Sequence, residues 1–364
     1  MDDRSRALAA SGGIVLAFVI VQLGALAVVA PLDAGGNQFV EDTSDPTISV
    51  VYVAAILVVT ALMLAAIKLG VEGLIRAFVV FAGAYISLFV FRAVAPAVLT
   101  VRVAGTPVDV LAWAGAAAIG IALYAYPEWY VIDAAGIVMG IGAAGLFGIN
   151  FGLLPALVLL SVLAVYDAIS VYGTEHMLTL ASGVMELRVP IVLVVPLTLS
   201  YSFLDANLPD PGGDGAEEGT TPGGTGAATA NGGTGGGPDH ESAAGNGSRE
   251  PGPAGDDEGF ELDREALFIG LGDVVIPTVL VASAGFFVRD APAVALGGLT
   301  VPLPAAAAMV GTLAGLIVLL YMVLQGRAHA GLPLLNGGAI GGYLLGALAS
   351  GLTLVEALGL PGLP

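Results

Sequence analysis

Apolar runs of about 20 residues recur along this chain, each long enough to cross about 30 Å of hydrocarbon as a helix. They fall at 12–30, 48–67, 75–95, 108–126, 131–149, 151–172, 266–288, 303–325 and 332–353. Polar residues collect between them, so the pattern predicts an all-α polytopic membrane protein with about nine transmembrane helices. The narrowest break, around Asn150, joins the fifth and sixth runs. The widest separates the sixth from the seventh. It opens with Gly173 to Leu187, where apolar Met177, Leu178, Leu180, Val184 and Leu187 recur at helical spacing among Glu175, His176 and Glu186. This reads as a short amphipathic helix. Val189 to Leu197 is apolar but too short to span, and Pro190 and Pro196 interrupt it, so it is expected to be extended or re-entrant. From Asp205 to Glu258 the chain is Gly, Pro, Ser, Thr and acidic residues with almost nothing to bury, the composition of a disordered loop. The expected organisation is therefore six helices in 1–172, an amphipathic and extended segment in 173–203, an acidic Gly-rich loop in 204–262, and three helices in 263–364.

Composition narrows the class. The chain is 57% hydrophobic and 11% charged, with a mean hydropathy of +0.92, values outside those of ordinary soluble domains. Thirty acidic against eleven basic residues give a formal charge of −19. Such an excess suits a protein kept hydrated in concentrated salt, where screening suppresses self-repulsion, and a halophilic source is expected. So few cations exclude a nucleic-acid partner, because phosphate binding needs clustered Lys or Arg. Cysteine is absent, and His176, His240 and His329 are scattered without metal-ligand spacing, so neither a metal nor a cofactor is expected. The Gly-rich run at 232–237 is no phosphate loop, since no strand precedes it and no helix follows.

Charge also orients the chain. Arg4 and Arg6 precede the first run, which could be cut as a signal peptide, but its uninterrupted length favours a retained helix. With nine spans and the N-terminus inside, the inner segments hold Arg4, Arg6, Lys68, Arg76, Arg188, Arg249, Arg264 and Arg327, and the outer ones only Arg92, Arg102 and Arg289. The positive-inside rule then places the N-terminus and the 173–265 loop in the cytoplasm and the C-terminus outside. On the same grounds Asn246, which heads an Asn-Gly-Ser glycosylation triplet, faces the wrong side for use.

Two carboxylates stand inside the predicted spans. Asp167 lies near the inner end of the sixth, directly after Tyr166, and Asp273 lies about seven residues into the seventh, after Gly270-Leu271-Gly272. At a rise of about 1.5 Å per residue both sit roughly 8–11 Å from the cytoplasmic edge, where they can face each other. An intramembrane carboxylate costs about 2.5–3.5 kcal/mol on insertion scales and marks a functional site. Asp109, Glu128 and Asp133 fall at or near span ends and read as interfacial. Two carboxylates brought together in a low-dielectric site cannot both ionise easily and share one proton. One then activates a water as general base while the other polarises a carbonyl, which is aspartic-protease chemistry. Gly270 and Gly272 allow close backbone approach there. The last span opens with Gly331-Leu332-Pro333-Leu334-Leu335-Asn336, where Pro333 and Asn336 disturb regular helix, and its Gly338, Gly342 and Gly346, four apart, form a packing ladder.

Tyr166-Asp167, Gly270-Leu271-Gly272-Asp273 and the proline motif opening the last span, in this order, resemble the presenilin and signal peptide peptidase family of intramembrane aspartyl proteases, in particular its archaeal members. The resemblance covers nearly the whole chain. It implies that Asp167 and Asp273 are the catalytic pair, that Tyr166, Gly270, Leu271 and Gly272 complete their motifs, and that Pro333, Leu334 and Leu335 shape the site and help hold substrate. Leu334 departs from the family's Pro-Ala-Leu pattern. The implied substrates are single-span membrane proteins or signal peptides within the bilayer. The extended segment near Val189 to Leu197, or the chain just before Ala266, is the expected place for a substrate strand to pair. No obligatory partner subunit is indicated, and homo-oligomerisation stays open. Two rival readings use the same carboxylates: a proton- or cation-coupled transporter or channel, which should show internal repeats, and a prepilin-type peptidase, which has fewer spans and no proline motif.

Overall fold

The computed structural model describes residues 3–39, 58–59, 62, 72–95, 100–103, 106–173, 192–197, 266–325 and 330–360. Most of the expected second span at 48–67, the amphipathic stretch after Gly173, the loop at 205–258, the glycosylation triplet and the three histidines lie outside the described residues.

The described residues form eight long helices: α1 (Asp3–Ala34), α2 (Glu72–Val94), α3 (Val110–Ala125), α4 (Trp129–Asn150), α5 (Leu153–Gly173), α6 (Leu271–Phe287), α7 (Leu303–Leu324) and α8 (Gly331–Ala349). A single turn, α9 (Leu354–Ala357), follows. Five of the long helices, α1, α2, α4, α7 and α8, are long and apolar enough to cross a membrane unaided, and α3, α5 and α6 are shorter apolar helices. The narrow break between the fifth and sixth runs is real: α4 ends at Asn150, and Gly152 and Pro155 restart the chain as α5. Ser283 of α6 donates to the Phe151 carbonyl freed at that corner, 2.9 Å. At the other end of α4, the chain between α3 and α4 is short; at the far end of α3 the Asp109 carboxylate caps that helix by accepting the Leu111 N–H at 3.1 Å.

Three antiparallel hairpins interrupt the helices. β1 (Thr100–Val103) pairs with β2 (Thr106–Asp109), and β5 (Ala293–Leu296) pairs with β6 (Leu299–Pro302). Neither is visible in the span pattern. The second closes through Gly297 and Gly298, both at positive φ (56° and 85°), the conformation that a two-residue turn matching strand twist requires. The third hairpin corrects the seventh window. Its residues 266–270 are not helical but form β4 (Ala266–Gly270), paired with β3 (Val192–Pro196) in the register Val192↔Gly270 to Pro196↔Ala266. Five residues led by Ala-Leu-Phe-Ile suit a buried strand as well as a helix start, so an apolar run alone could not separate the two.

α6 is the centre of the bundle, touching α1, α4, α5, α7 and α8, and residues from Asp273 to Ala284 on it are mostly buried. The glycine ladder of α8 meets α7 backbone to backbone. A Cβ at Gly338 would collide with the Gly311 carbonyl, one at Gly342 with the Ala307 carbonyl, and one at Gly315 of α7 with the Leu334 carbonyl. These small residues bring two helices into direct contact and fix where the Pro333 motif begins.

Candidate active site

Three chain ends converge on the two predicted carboxylates. Asp167 lies in the last two turns of α5 and is buried, at 6% exposure. Asp273 is the third residue of α6, not the eighth of a longer helix, because Gly270 ends β4 and serves as N-cap; it too is buried, at 8%. The helices that carry them, α5 and α6, pack against each other. Asp273 reaches its place through a strand-to-helix turn rather than from within a longer helix.

The third chain end is the start of α8. Its Leu332 N–H, one of the first-turn donors with no partner inside the helix, donates to Asp167 Oδ2 at 3.1 Å. Four residues on, Asn336 Nδ2 donates to the Leu160 carbonyl of α5 at 3.0 Å. α8 thus grips α5 at two heights, once on the carboxylate itself. With Asp273 in the first turn of α6 and Asp167 bonded to the first turn of α8, each carboxylate stands at a helix N-terminus, where the partial positive charge favours a negative one.

The motif residues divide. Gly270 belongs to the site by its smallness: a Cβ there would stand 3.1 Å from Asp273 Oδ2. Gly272 is exposed, with only Ile276 near the position of a Cβ, at 3.8 Å, so it leaves an open approach beside Asp273. Leu271 turns away and packs toward Gly136 and Gly140 of α4. Tyr166 is not gathered in. Its side chain is 65% exposed on the outside of the bundle, as follows from helical geometry, since adjacent residues on α5 project about 100° apart. Pro333 and Leu334 are half-buried at the start of α8, and Leu335 is fully buried in the cluster that includes Phe18 and Leu316. The motif reaches Asp167 through the Leu332 backbone, directly before Pro333. A proline in a helical first turn marks unpaired N–H groups beside it, and that signal could have singled out Leu332.

Asp133 was also placed too loosely by sequence. It stands in the first turns of α4, but its Oδ1 accepts the Val194 N–H of β3 at 2.7 Å. Glu128, likewise expected at the interface, is buried at 6%. No group of three or more His, Asp or Glu side chains is arranged to hold a metal among the described residues.

A search of curated protein sequences gives no significant match. Two solved structures of a presenilin family intramembrane aspartate protease, in two crystal forms, superpose with TM-scores of 0.56 and 0.54. Each is 29% identical and covers 93% of this chain, which in turn covers 99% and 97% of theirs. The family model for signal-peptide peptidase, presenilin aspartyl protease matches residues 15–352. A match of that extent displaces the transporter and prepilin-peptidase readings, and the chain belongs to this family of membrane-embedded, multi-pass intramembrane aspartic proteases.

Proposed function

We propose that Asp167 and Asp273 are the catalytic pair of this protease. The observation that carries the reading is their joint burial at the meeting of three chain ends, with Asp167 held by the Leu332 N–H. In the proposed reaction one carboxylate is ionised and the other protonated. The ionised one takes a proton from a water whose oxygen bonds to the scissile carbonyl carbon; the protonated one donates to the carbonyl oxygen. Collapse of the tetrahedral diol breaks the C–N bond as a proton passes to the leaving nitrogen, giving an acid and an amine. No metal, cofactor or covalent intermediate is needed.

The β3–β4 hairpin supports a place for the substrate. Val194 donates to Asp133, so its N–H points away from β4, and Val194↔Phe268 is a non-hydrogen-bonded pair. The outward groups of Phe268 and Gly270 then form the free edge of β4, leading straight to Asp273. A substrate unwound into a strand adds there, which exposes an amide otherwise locked in a helix. Substrates are single-span membrane proteins or signal peptides. The N-terminus and the 173–265 loop face the cytoplasm and the C-terminus faces outward.

A peptide carrying a hydroxyl-bearing tetrahedral mimic of the scissile amide tests the pair. It is expected to bind wild type at least about a hundredfold more tightly than the parent peptide. Asp167→Asn and Asp273→Asn should each remove that advantage. Equal binding of mimic and parent to wild type sinks the assignment.

A further inference from the structure

A third carboxylate, Asp133, has no role in the reaction just described, yet it is placed where it controls the strand that leads into Asp273. We infer that Asp133 is a positioning residue: by accepting the Val194 N–H on the outer edge of β3, it fixes the β3–β4 hairpin against α4, and so fixes the register of the strand along which substrate is presented. The inference rests on the proposed roles of Asp273 and of the β4 edge.

The geometry is specific. α4 presents Asp133, Gly136 and Gly140 at spacings of three and four, a single stripe along one face. At the top of the stripe Asp133 Oδ1 holds Val194 N–H at 2.7 Å. One turn on, Gly136 makes room for Leu193: a Cβ there would lie 3.0 Å from its Cδ2, and 3.9 Å from Leu271 Cδ1. A further turn on, a Cβ at Gly140 would lie 3.5 Å from both Leu271 and Val275. The same helix face thus receives β3, the Leu271 of the Gly-Leu-Gly-Asp motif, and the next turn of α6. The apolar contacts can slide; the hydrogen bond cannot, because it names one donor.

The hairpin's own pattern calls for such a pin. Leu193, Leu267 and Ile269 pack into the cluster with Ile14, Phe18 and Val274, while Val194 and Ala266 pack on the other side with Ile132 and Ala135. Both faces of β3–β4 are apolar, so a shift by one residue costs less than in a strand with one wet face. Pro196 brings no N–H to the outer edge. Val194 is therefore the central donor by which that edge can be held. Asp133 also lines a half-open apolar cleft of about 220 Å³ with Ile14, Trp129, Leu193 and Ile269, and has few polar neighbours other than the strand to satisfy it.

The pin also blunts an edge. With its Val194 N–H occupied and no N–H at Pro196, the outer edge of β3 keeps only the Val192 donor for an incoming strand, which favours β4 as the edge for pairing.

Asp133→Asn keeps a carbonyl oxygen that can accept the bond, Asp133→Leu removes it, and Val194→Pro removes the donor at a position that gives β4 no hydrogen bond. Hydrogen exchange of the Val194 amide in the resting protein reads the bond without any cleavage. Exchange should be slow in wild type and Asp133→Asn and faster by at least about tenfold in Asp133→Leu. Mass spectrometry of cleaved single-span substrate reads the register. Wild type and Asp133→Asn should cut at the same bonds with kcat within about threefold, while Asp133→Leu and Val194→Pro spread cleavage over neighbouring bonds with kcat down about tenfold and KM little changed. The double variant Asp133→Leu/Val194→Pro should lose no more than either single variant. Fast Val194 exchange in wild type, an Asn variant as impaired as the Leu variant, or unchanged cut sites in Asp133→Leu would each overturn the positioning role. Loss of wild-type cleavage with slow exchange intact would instead strike at the proposed chemistry.

Discussion

Helix α8 meets two neighbours by opposite means. Against α7 it presents glycines, and the contact is backbone on backbone: Gly338 against Gly311, Gly342 against Ala307. Against α5 it presents polar groups, and the contact is two hydrogen bonds: Leu332 N–H to Asp167 and Asn336 to Leu160. The first kind of contact leaves no space for adjustment and makes α7 and α8 one rigid piece. The second fixes direction but can open and remake. A carboxylate that must bind water, move a proton and release products is better held by the second kind, with the first beneath it as a foundation.

The difference can be broken from the rigid side with the largest effect. Gly342→Leu places a branched side chain where the Ala307 carbonyl stands. Forced separation of α7 and α8 should cost about 1–3 kcal/mol or more and lower the thermal midpoint by several degrees, together with all activity. A variant that melts like wild type would show that the seam is not rigid. On the polar side the effect should separate from stability. Asn336→Ala loses the bond to Leu160 but also removes the buried Asn336 Oδ1, which has no partner among the described residues. Intramembrane hydrogen bonds contribute about 0.6 kcal/mol on average, so melting should shift little, whereas kcat should fall about three- to tenfold as α5 and its Asp167 lose one of two fixings. A large loss of stability with unchanged kcat would make Asn336 a structural brace only.

The smallest effect lies at the far end of α8. Tyr343 donates from its buried hydroxyl to the Ala357 carbonyl at 2.6 Å, tying down α9, and Thr353 and Glu356 form its capping box. The Thr353 N–H and hydroxyl hold the exposed Glu356 carboxyl below the usual glutamate range. A lowered folded value means that the capping contribution is present above the ordinary glutamate value and is lost as pH falls through the lowered one. Acidification across that window should lower the thermal midpoint slightly in wild type, with the Glu356→Gln difference vanishing at the acid end. A difference that persists there would remove the carboxylate from the account.

The same contrast explains what could be read from the sequence. Spans are legible because hydrocarbon demands about 20 apolar residues whatever they pack against. The pair Asp167 and Asp273 is legible because an acid in such a run has few bland explanations. The glycine ladder shows that some helix approaches α8, but its spacing carries no name for α7. The extended segment expected within Val189 to Leu197 is β3, but its partner β4 was lost because Ala266 to Gly270 is apolar in either conformation and lies 70 residues away. Tyr166 joined the site through the Tyr-Asp motif of the resemblance, although neighbours on a helix face different ways. Asp133 was dismissed because its position near a span end looked wet, while the strand that uses it is supplied by a distant segment. Long-range partners, in short, are what periodicity does not contain.

The central claim is that Asp167 and Asp273 together hydrolyse peptide bonds inside the membrane. Purified protein in lipid at high salt, given a model single-span substrate, tests it directly. Wild type should cut within the apolar segment, and Asp167→Asn and Asp273→Asn should each lower the rate by at least about 10²–10⁴-fold while melting like wild type. Cleavage at wild-type rates by either folded variant would contradict the claim.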